Sequence, residues 1–323
     1  MKNIFITRKI DEVGLKMLEE KGYSVDVRQS DSIPTQEEII ESLNKKEYDA
    51  VVTLLTDKID LKVFDAVPNV KLYVNYATGF DNMDITEAKN RDITICNAPA
   101  VITSEAVAEH TLALMLALAA RIVEADEFVR QGKYDGWSPS IFIGTDVLGK
   151  TLGLVGAGRI GSRVGFYAKA LGMKVIYYDV SRNEQIEKEC GAEYCESLDD
   201  LLQKADIVSI HVPLLPTTKH LINWDKLNLM KKTAFLINTS RGPVVEEVSL
   251  TKALSEGVIA GAGLDVFEFE PKISGDLIKL QNTILTPHIA SASVEARVEM
   301  SQIVADNIID YFEGREPRNK VNK

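Results

Sequence analysis

Three segments of this sequence each end an apolar run on an ionisable group. Ile237-Asn238-Thr239-Ser240-Arg241-Gly242-Pro243 sets a guanidinium beside glycine and proline, an arrangement suited to gripping a carboxylate through two parallel N–H bonds. Gly263-Leu264-Asp265-Val266-Phe267-Glu268-Phe269-Glu270-Pro271 places carboxylates after a strand-like run, and Leu285-Thr286-Pro287-His288 ends on one of only four histidines. Taken singly, these are a loop arginine, a solvated acidic loop and a structural histidine. Taken together they meet the needs of one reaction, the reduction of a 2-keto acid. That chemistry needs a hydride donor, a cation for the carboxylate and an acid for the carbonyl oxygen, and histidine is the usual acid near neutral pH. A carboxylate beside the histidine orients the ring and favours its protonated form. Arg241, His288 and Glu270 supply one of each.

The hydride donor has its own signature. Thr151-Leu152-Gly153-Leu154-Val155 reads as a buried strand, followed at once by Gly156-Ala157-Gly158-Arg159-Ile160-Gly161 and a helical stretch to Leu171. Gly156 permits the tight turn, Gly158 lets the backbone approach a pyrophosphate, and Gly161 lets helix and strand pack closely. The helix N-terminus offers unpaired N–H groups to the phosphates. Asp179 ends the next strand, 21 residues after Gly158, where an acid accepts bonds from the adenine-ribose hydroxyls. Its charge would repel a 2′-phosphate, so NAD is expected over NADP, with Arg182 as the nearby opposing cation.

Elements that position these residues follow from the alternation of apolar runs and amphipathic stretches, which predicts parallel sheets covered by helices. The first series has strands at Asn3–Thr7, Ser24–Arg28, Ala50–Leu54, Leu72–Asn75 and Thr94–Cys96, with helices around Asp11–Lys21 and Thr35–Lys45. The second has Leu152–Val155, Lys174–Tyr178, Ile207–His211, Ala234–Asn238, Gly261–Asp265 and Thr283–Thr286. The closing stretch Ser293–Phe312 has helical spacing and is expected to pack back on the first series. The expectation is a discontinuous substrate domain of residues 1–99 with 289–323, a dinucleotide-binding Rossmann domain of residues 100–288, and a cleft between these two doubly wound α/β domains.

The composition is that of a globular protein: 323 residues, 45% hydrophobic and 26% charged, a length that favours two cores. A net charge of -11 with no Lys/Arg cluster argues against nucleic acid. Cys96, Cys190 and Cys195 form no CxxC pair, so neither a zinc site nor a disulfide framework is expected, and a reducing, cytoplasmic setting fits. No metal is expected. The start lacks the pattern of a secretory signal. The longest apolar stretch, Thr111–Ala120, is about half what a bilayer requires, which predicts a buried helix and no membrane span.

On these residues the chain resembles the D-isomer-specific 2-hydroxyacid dehydrogenases, from the Thr78-Gly79-Phe80-Asp81-Asn82 loop to Thr286-Pro287-His288. The resemblance implies Arg241 as carboxylate anchor, His288 as general acid/base and Glu270 as the partner that raises its basicity. It implies that Asp265, Thr239, Ser240 and Arg241 hold the nicotinamide end beside His288, and that Thr103 or Ser104 touches the cofactor near a hinge. Gly156, Gly158, Arg159, Ile160, Gly161 and Asp179 would hold the rest of it. Backbone N–H groups of Thr78 and Gly79 would hold the substrate, hinges would fall at Ala98–Ala100 and His288–Ser291, and Ser104–Arg121 would serve a homodimer contact. Asn75–Gly79, Gly136-Trp137 and Gly144–Gly149 look most like glyoxylate/hydroxypyruvate reductases, many of which prefer NADP and lack an acid at the position of Asp179. Formate dehydrogenases of this fold would carry glutamine at Glu270, and phosphite dehydrogenase a lysine near Thr78. The alternatives are a dehydrogenase for another 2-hydroxy acid, such as D-lactate or D-3-phosphoglycerate, and an NAD-sensing corepressor-like protein.

Overall fold

Helix starts in the first series are written into their caps. Asp11 accepts the Val13 N–H ahead of the Glu12–Glu20 helix, and Thr35 and Glu38 form a reciprocal capping box ahead of Gln36–Leu43, each satisfying N–H groups that a helix start leaves unpaired. The strands β1 (Asn3–Ile6), β2 (Ser24–Val27), β3 (Ala50–Thr53), β4 (Leu72–Asn75) and β5 (Thr94–Cys96) pair in parallel in the order β2-β1-β3-β4-β5. The period-two geometry of a strand divides their side chains between two cores. Ile4, Ile6, Val52, Leu72 and Val74 pack on one face, while Phe5, Val51 and Tyr73 pack on the other.

The computed structural model describes residues 1–322, and these form two compact units, residues 1–103 with 292–322, and Ser104–Ser291. In the first unit the closing helix, Val294–Phe312, lies against Glu12–Glu20. Gly14 makes that contact possible: a Cβ there would sit 2.3 Å from the Ser301 carbonyl oxygen, and its N–H donates to Ser301 Oγ at 3.2 Å. The chain end then covers the β5 edge. Val321 N–H donates to Ile95 C=O, and the buried Asn322 side chain bonds both Ile95 N–H and Ile93 C=O. An exposed strand edge is thereby closed.

In the second unit the strands are β6 (Thr151–Val155), β7 (Lys174–Tyr178), β8 (Glu193–Tyr194), β9 (Ile207–Ile210), β10 (Phe235–Asn238), β11 (Gly261–Leu264) and β12 (Thr283–Leu285). They are parallel, in the order β12-β11-β10-β9-β6-β7-β8. That is the doubly wound nucleotide-binding order with one further strand, and its direction reverses between β6 and β9. The expectation of parallel α/β sheets therefore holds in both units. Strand β8 has only two residues and no apolar run, which is why periodicity did not reveal it.

One helix is longer than its reading. The apolar run at Thr111–Ala120 belongs to a longer helix, Val101–Ala119, long and apolar enough by length and composition alone to cross a membrane. It is buried on one face only: Ala108, Leu114, Met115 and Leu118 enter the core of the second unit, whereas Leu116 is exposed.

Candidate active site

Because every strand of the second unit runs the same way, all their carboxyl ends share one edge, and the singled-out residues follow those ends. Gly156 follows β6, Asp179 follows β7, Thr239–Arg241 follow β10, Asp265 follows β11 and Thr286–His288 follow β12. From the end of β7 to the end of β12 is five strand steps of about 4.8 Å each, a dinucleotide-sized span.

The glycine turn occupies the reversal point. Gly156 has φ +98°, and a Cβ there would come within 2.9 Å of the His211 carbonyl carbon beyond β9. At Gly161 a Cβ would lie 2.2 Å from the Gly156 carbonyl oxygen, so helix and turn touch backbone to backbone. Gly158 is the opposite case, exposed and with nothing within 4 Å of an added Cβ. It caps the Arg159–Ala170 helix without any side-chain cap or acid in the first turn, which leaves the Arg159–Ile160 end electropositive. Asp179 Oδ2 accepts the Ala157 N–H at 2.8 Å, fixing the carboxylate beside the turn. Arg182, the nearby cation, is held by both oxygens of Glu187 at 2.7 and 3.0 Å. His211 beneath the turn is half-buried, its ring bonded to Ser209 Oγ at 2.8 Å, and desolvation pushes it down to about 3. It is a neutral structural residue.

The Arg241 loop is shaped by Asn238, whose side chain accepts the Ser240 N–H and hydroxyl and donates to the Arg241 carbonyl. Thr239 is buried, with its hydroxyl 2.9 Å from that of Thr111. Gly242 then presses on the next loop, where a Cβ would lie 1.8 Å from the Phe267 carbonyl oxygen.

His288 stands on left-handed backbone, φ +56°, which is uncommon for a non-glycine residue and marks a held conformation. What holds it is Asp265, fully buried. Its carboxylate accepts the Thr286 hydroxyl at 2.6 Å and the Ile289 and Ala290 N–H groups at 2.8 and 2.7 Å. The ring Nδ1 of His288 lies 2.9 Å from Glu270 Oε2, and Glu270 Oε1 accepts the Phe267 N–H at 2.9 Å. Burial pushes the Glu270 carboxyl up, but its bond to His288, the charges of His288 and Arg241 and the Phe267 N–H outweigh that and hold it below its ordinary value. An ionised carboxylate only accepts, so Nδ1 carries a proton and Nε2 is the free end of the ring.

The alternating carboxylates of 265–270 thus divide their work. Glu268 is no solvated acid: it bonds His220 Nε2 at 2.6 Å and the Glu247 N–H at 2.9 Å, while Glu247 returns bonds to the Glu268 and Ser274 N–H groups. Reading the sequence missed Asn238, His220 and His110, whose Nε2 meets Thr286 Oγ1 at 3.1 Å. Asn238 alone left a signal, a polar side chain ending an apolar strand. Thr78, Gly79 and Thr103 belong to the first unit, where the Thr78 and Thr103 hydroxyls are buried with no hydrogen-bond partner among the described residues. Among the described residues no three His, Cys, Asp or Glu side chains gather as metal ligands would.

Residues 112–290 match the family model for the D-isomer specific 2-hydroxyacid dehydrogenase NAD binding domain. A glyoxylate reductase of Korarchaeum cryptofilum (strain OPF8) is 48% identical over 322 residues, covering 99% of this chain and 96% of that protein. One from Thermococcus litoralis is 48% identical over 324 residues, with the same two coverages. Among solved structures, the TT0316 protein from Thermus thermophilus superposes with a TM-score of 0.92 at 37% identity, covering 99% of both chains. An NADPH-dependent glyoxylate/hydroxypyruvate reductase from Sinorhizobium meliloti gives 0.86 at 29%, covering 99% of this chain and 98% of that one. A D-lactate dehydrogenase from Aquifex aeolicus, complexed with NAD and lactic acid, gives 0.84 at 30%, covering 97% and 96%.

Proposed function

The chain belongs to the D-isomer-specific 2-hydroxyacid dehydrogenases, an oxidoreductase family, and from that premise we propose that it reduces a small 2-keto acid, glyoxylate or hydroxypyruvate, with NADH. The product is the 2-hydroxy acid, of D configuration where it is chiral. The observation that carries this reading is the His288–Glu270 pair at 2.9 Å, on the same sheet edge as the glycine turn, together with full-length relatives bearing the name glyoxylate reductase.

The open Gly158 backbone and the uncapped Arg159–Ile160 helix start fit a pyrophosphate, and Asp179 fits the ribose hydroxyls. Thr103, Thr239, Ser240, Arg241, Asp265 and His288 would hold the nicotinamide end. When bound there, NADH would supply the hydride for the keto carbon. Arg241 holds the substrate carboxylate, assisted by the Thr78 and Gly79 N–H groups, and excludes the reverse orientation by charge. His288 Nε2 donates its proton to the carbonyl oxygen as negative charge develops there, and Glu270 stabilises the ring while it is charged. Asp179 favours NAD over NADP in this reading, and Arg182, a cation near it, is already paired with Glu187.

Three buried, free cysteines and the net charge of -11 support a cytoplasmic protein that binds neither nucleic acid nor membrane. Exposed Leu116, Ile122, Val123 and Val129 support a homodimer through Ser104–Arg121 and the helix after it.

The test is NADH absorbance over a panel of keto acids. Glyoxylate and hydroxypyruvate should be turned over, and His288→Ala should lower kcat by roughly a thousandfold. Near-normal turnover by that variant would remove His288 as the acid. A wild-type protein that oxidises no NADH with any keto acid would sink the substrate assignment.

A further inference from the structure

Three consecutive carbonyls in the first unit are each held by a donor on the protein. Ala77 C=O accepts the Ala98 N–H at 2.8 Å. Thr78 C=O accepts Asn97 Nδ2 at 2.7 Å, and Gly79 C=O accepts Asn75 Nδ2 at 2.8 Å. These peptides are trans, since the only cis bond among the described residues is Glu270-Pro271. In a trans peptide the C=O and the following N–H point in opposite directions within one plane. Fixing three carbonyls therefore fixes three N–H groups, those of Thr78, Gly79 and Phe80, each directed away from the donor that holds its own peptide. None of these N–H groups has a partner among the described residues. Successive unpaired N–H groups of this kind can receive an anion, provided their planes do not turn.

The two asparagines are built to prevent that turning. Asn75 is fully buried; its Oδ1 accepts the Thr53 hydroxyl at 2.9 Å, and its Nδ2 also reaches Asn82 Oδ1 at 3.0 Å. Asn82 in turn donates to the Leu54 and Asp57 carbonyls. Asn97 is buried as well, its backbone tied to Asn319 and to the Asn307 side chain on the closing helix. The Asn75 side chain is thus also held by Thr53 on β3, and Asn97 is held through its backbone by Asn319 and Asn307.

We infer that Asn75 and Asn97 are positioning residues for the reaction: they aim the Thr78–Phe80 N–H row at the carboxylate of the keto acid. This rests on the reading above, in which that loop meets the substrate. Neither amide touches the reacting atoms, so their loss should weaken capture of the keto acid and leave cofactor affinity alone.

The variants are Asn97→Ala and Asn75→Asp, the second keeping the acceptor for Thr53 while removing the donor to Gly79. Each should raise KM for glyoxylate about tenfold, the scale of one poorly held hydrogen bond, with KM for NADH unchanged and kcat within about threefold. An unchanged glyoxylate KM in folded variants, or an equal rise in both KM values, would overturn the proposal. Should Asn97→Ala fail to fold, Asn97→Ser keeps a small polar side chain and is read the same way. A second readout separates this idea from the substrate assignment: amide NMR of Thr78, Gly79 and Phe80 during titration with oxamate, an unreactive keto-acid isostere. If the wild type turns over no keto acid yet these amides shift with oxamate, and shift less in the variants, the positioning role stands and the substrate assignment falls. If the amides ignore oxamate in the wild type, the positioning role falls.

Discussion

Asp265 reaches around the turn that carries His288. Its carbonyl oxygen accepts the His288 N–H at 2.9 Å, while its carboxylate accepts the next two N–H groups, of Ile289 and Ala290, at 2.8 and 2.7 Å. The left-handed backbone of His288 costs free energy of about 1–3 kcal/mol, and this buried carboxylate is what over-determines it.

Asp265→Asn replaces an acceptor with a donor facing an N–H group. The expected result is a loss of about 1–3 kcal/mol of stability, read as a lower thermal midpoint, and a drop in kcat of at least about tenfold as His288 loses its fixed position. A variant that melts earlier yet keeps full kcat would show that the turn holds itself.

For Glu270 the direction of titration sets a pH window. Its folded value lies below the ordinary 4.5, so the stabilisation from its pairing is complete above about 4.5 and fades only as pH falls through the lower folded value. His288 therefore keeps an ionised partner through the neutral and mildly acid range. Glu270→Gln removes the carboxylate that orients the His288 ring and offsets charge developing on it, so kcat for keto-acid reduction should fall by about tenfold or more. Steady-state kcat with glyoxylate checks this, and an unchanged kcat would refute it.

Asp179→Ala removes the carboxylate beside the glycine turn, leaving Arg182 still held by Glu187. The ratio of kcat/KM for NADH over NADPH should fall by about tenfold or more, mainly through poorer NADH binding. An unchanged ratio would place the discrimination elsewhere.

Gly242→Ala tests the loop contact. An added Cβ, 1.8 Å from the Phe267 carbonyl oxygen, must push apart the loops that carry Arg241 and Glu270. Overpacking of this kind costs about 1–3 kcal/mol, and KM for the keto acid should rise with the fall in thermal midpoint. Crystallography of the variant would show which loop gives way.

Much of this site was legible in one dimension. Strand, glycine turn, helix and terminal acid occur within residues 151–179, and local geometry dictates each of their roles. Arg241, Glu270 and His288 were readable because the chemistry of keto-acid reduction asks for those three groups and parallel strands deliver them to one edge. By contrast, Glu268 and Glu270 look alike in the sequence. Only the tertiary fold turns one toward His220 and the other toward His288, because that choice depends on loops from β9, β10 and β12. The Val101–Ala119 helix looked buried because composition does not record which face meets a core. Likewise the sequence shows asparagines at 75, 82 and 97, but not that they hold one another and the Thr78–Gly79 peptides. The sequence by itself determined most of the elements, the glycine turn and the candidate reacting groups, since these follow from local sterics and functional-group chemistry. Orientation and support were decided by the tertiary structure: Asp265 under His288, Gly242 against Phe267, Asn75 and Asn97 behind the loop. Hydrogen bonds and close contacts between distant segments exist only once the strands are ordered in space.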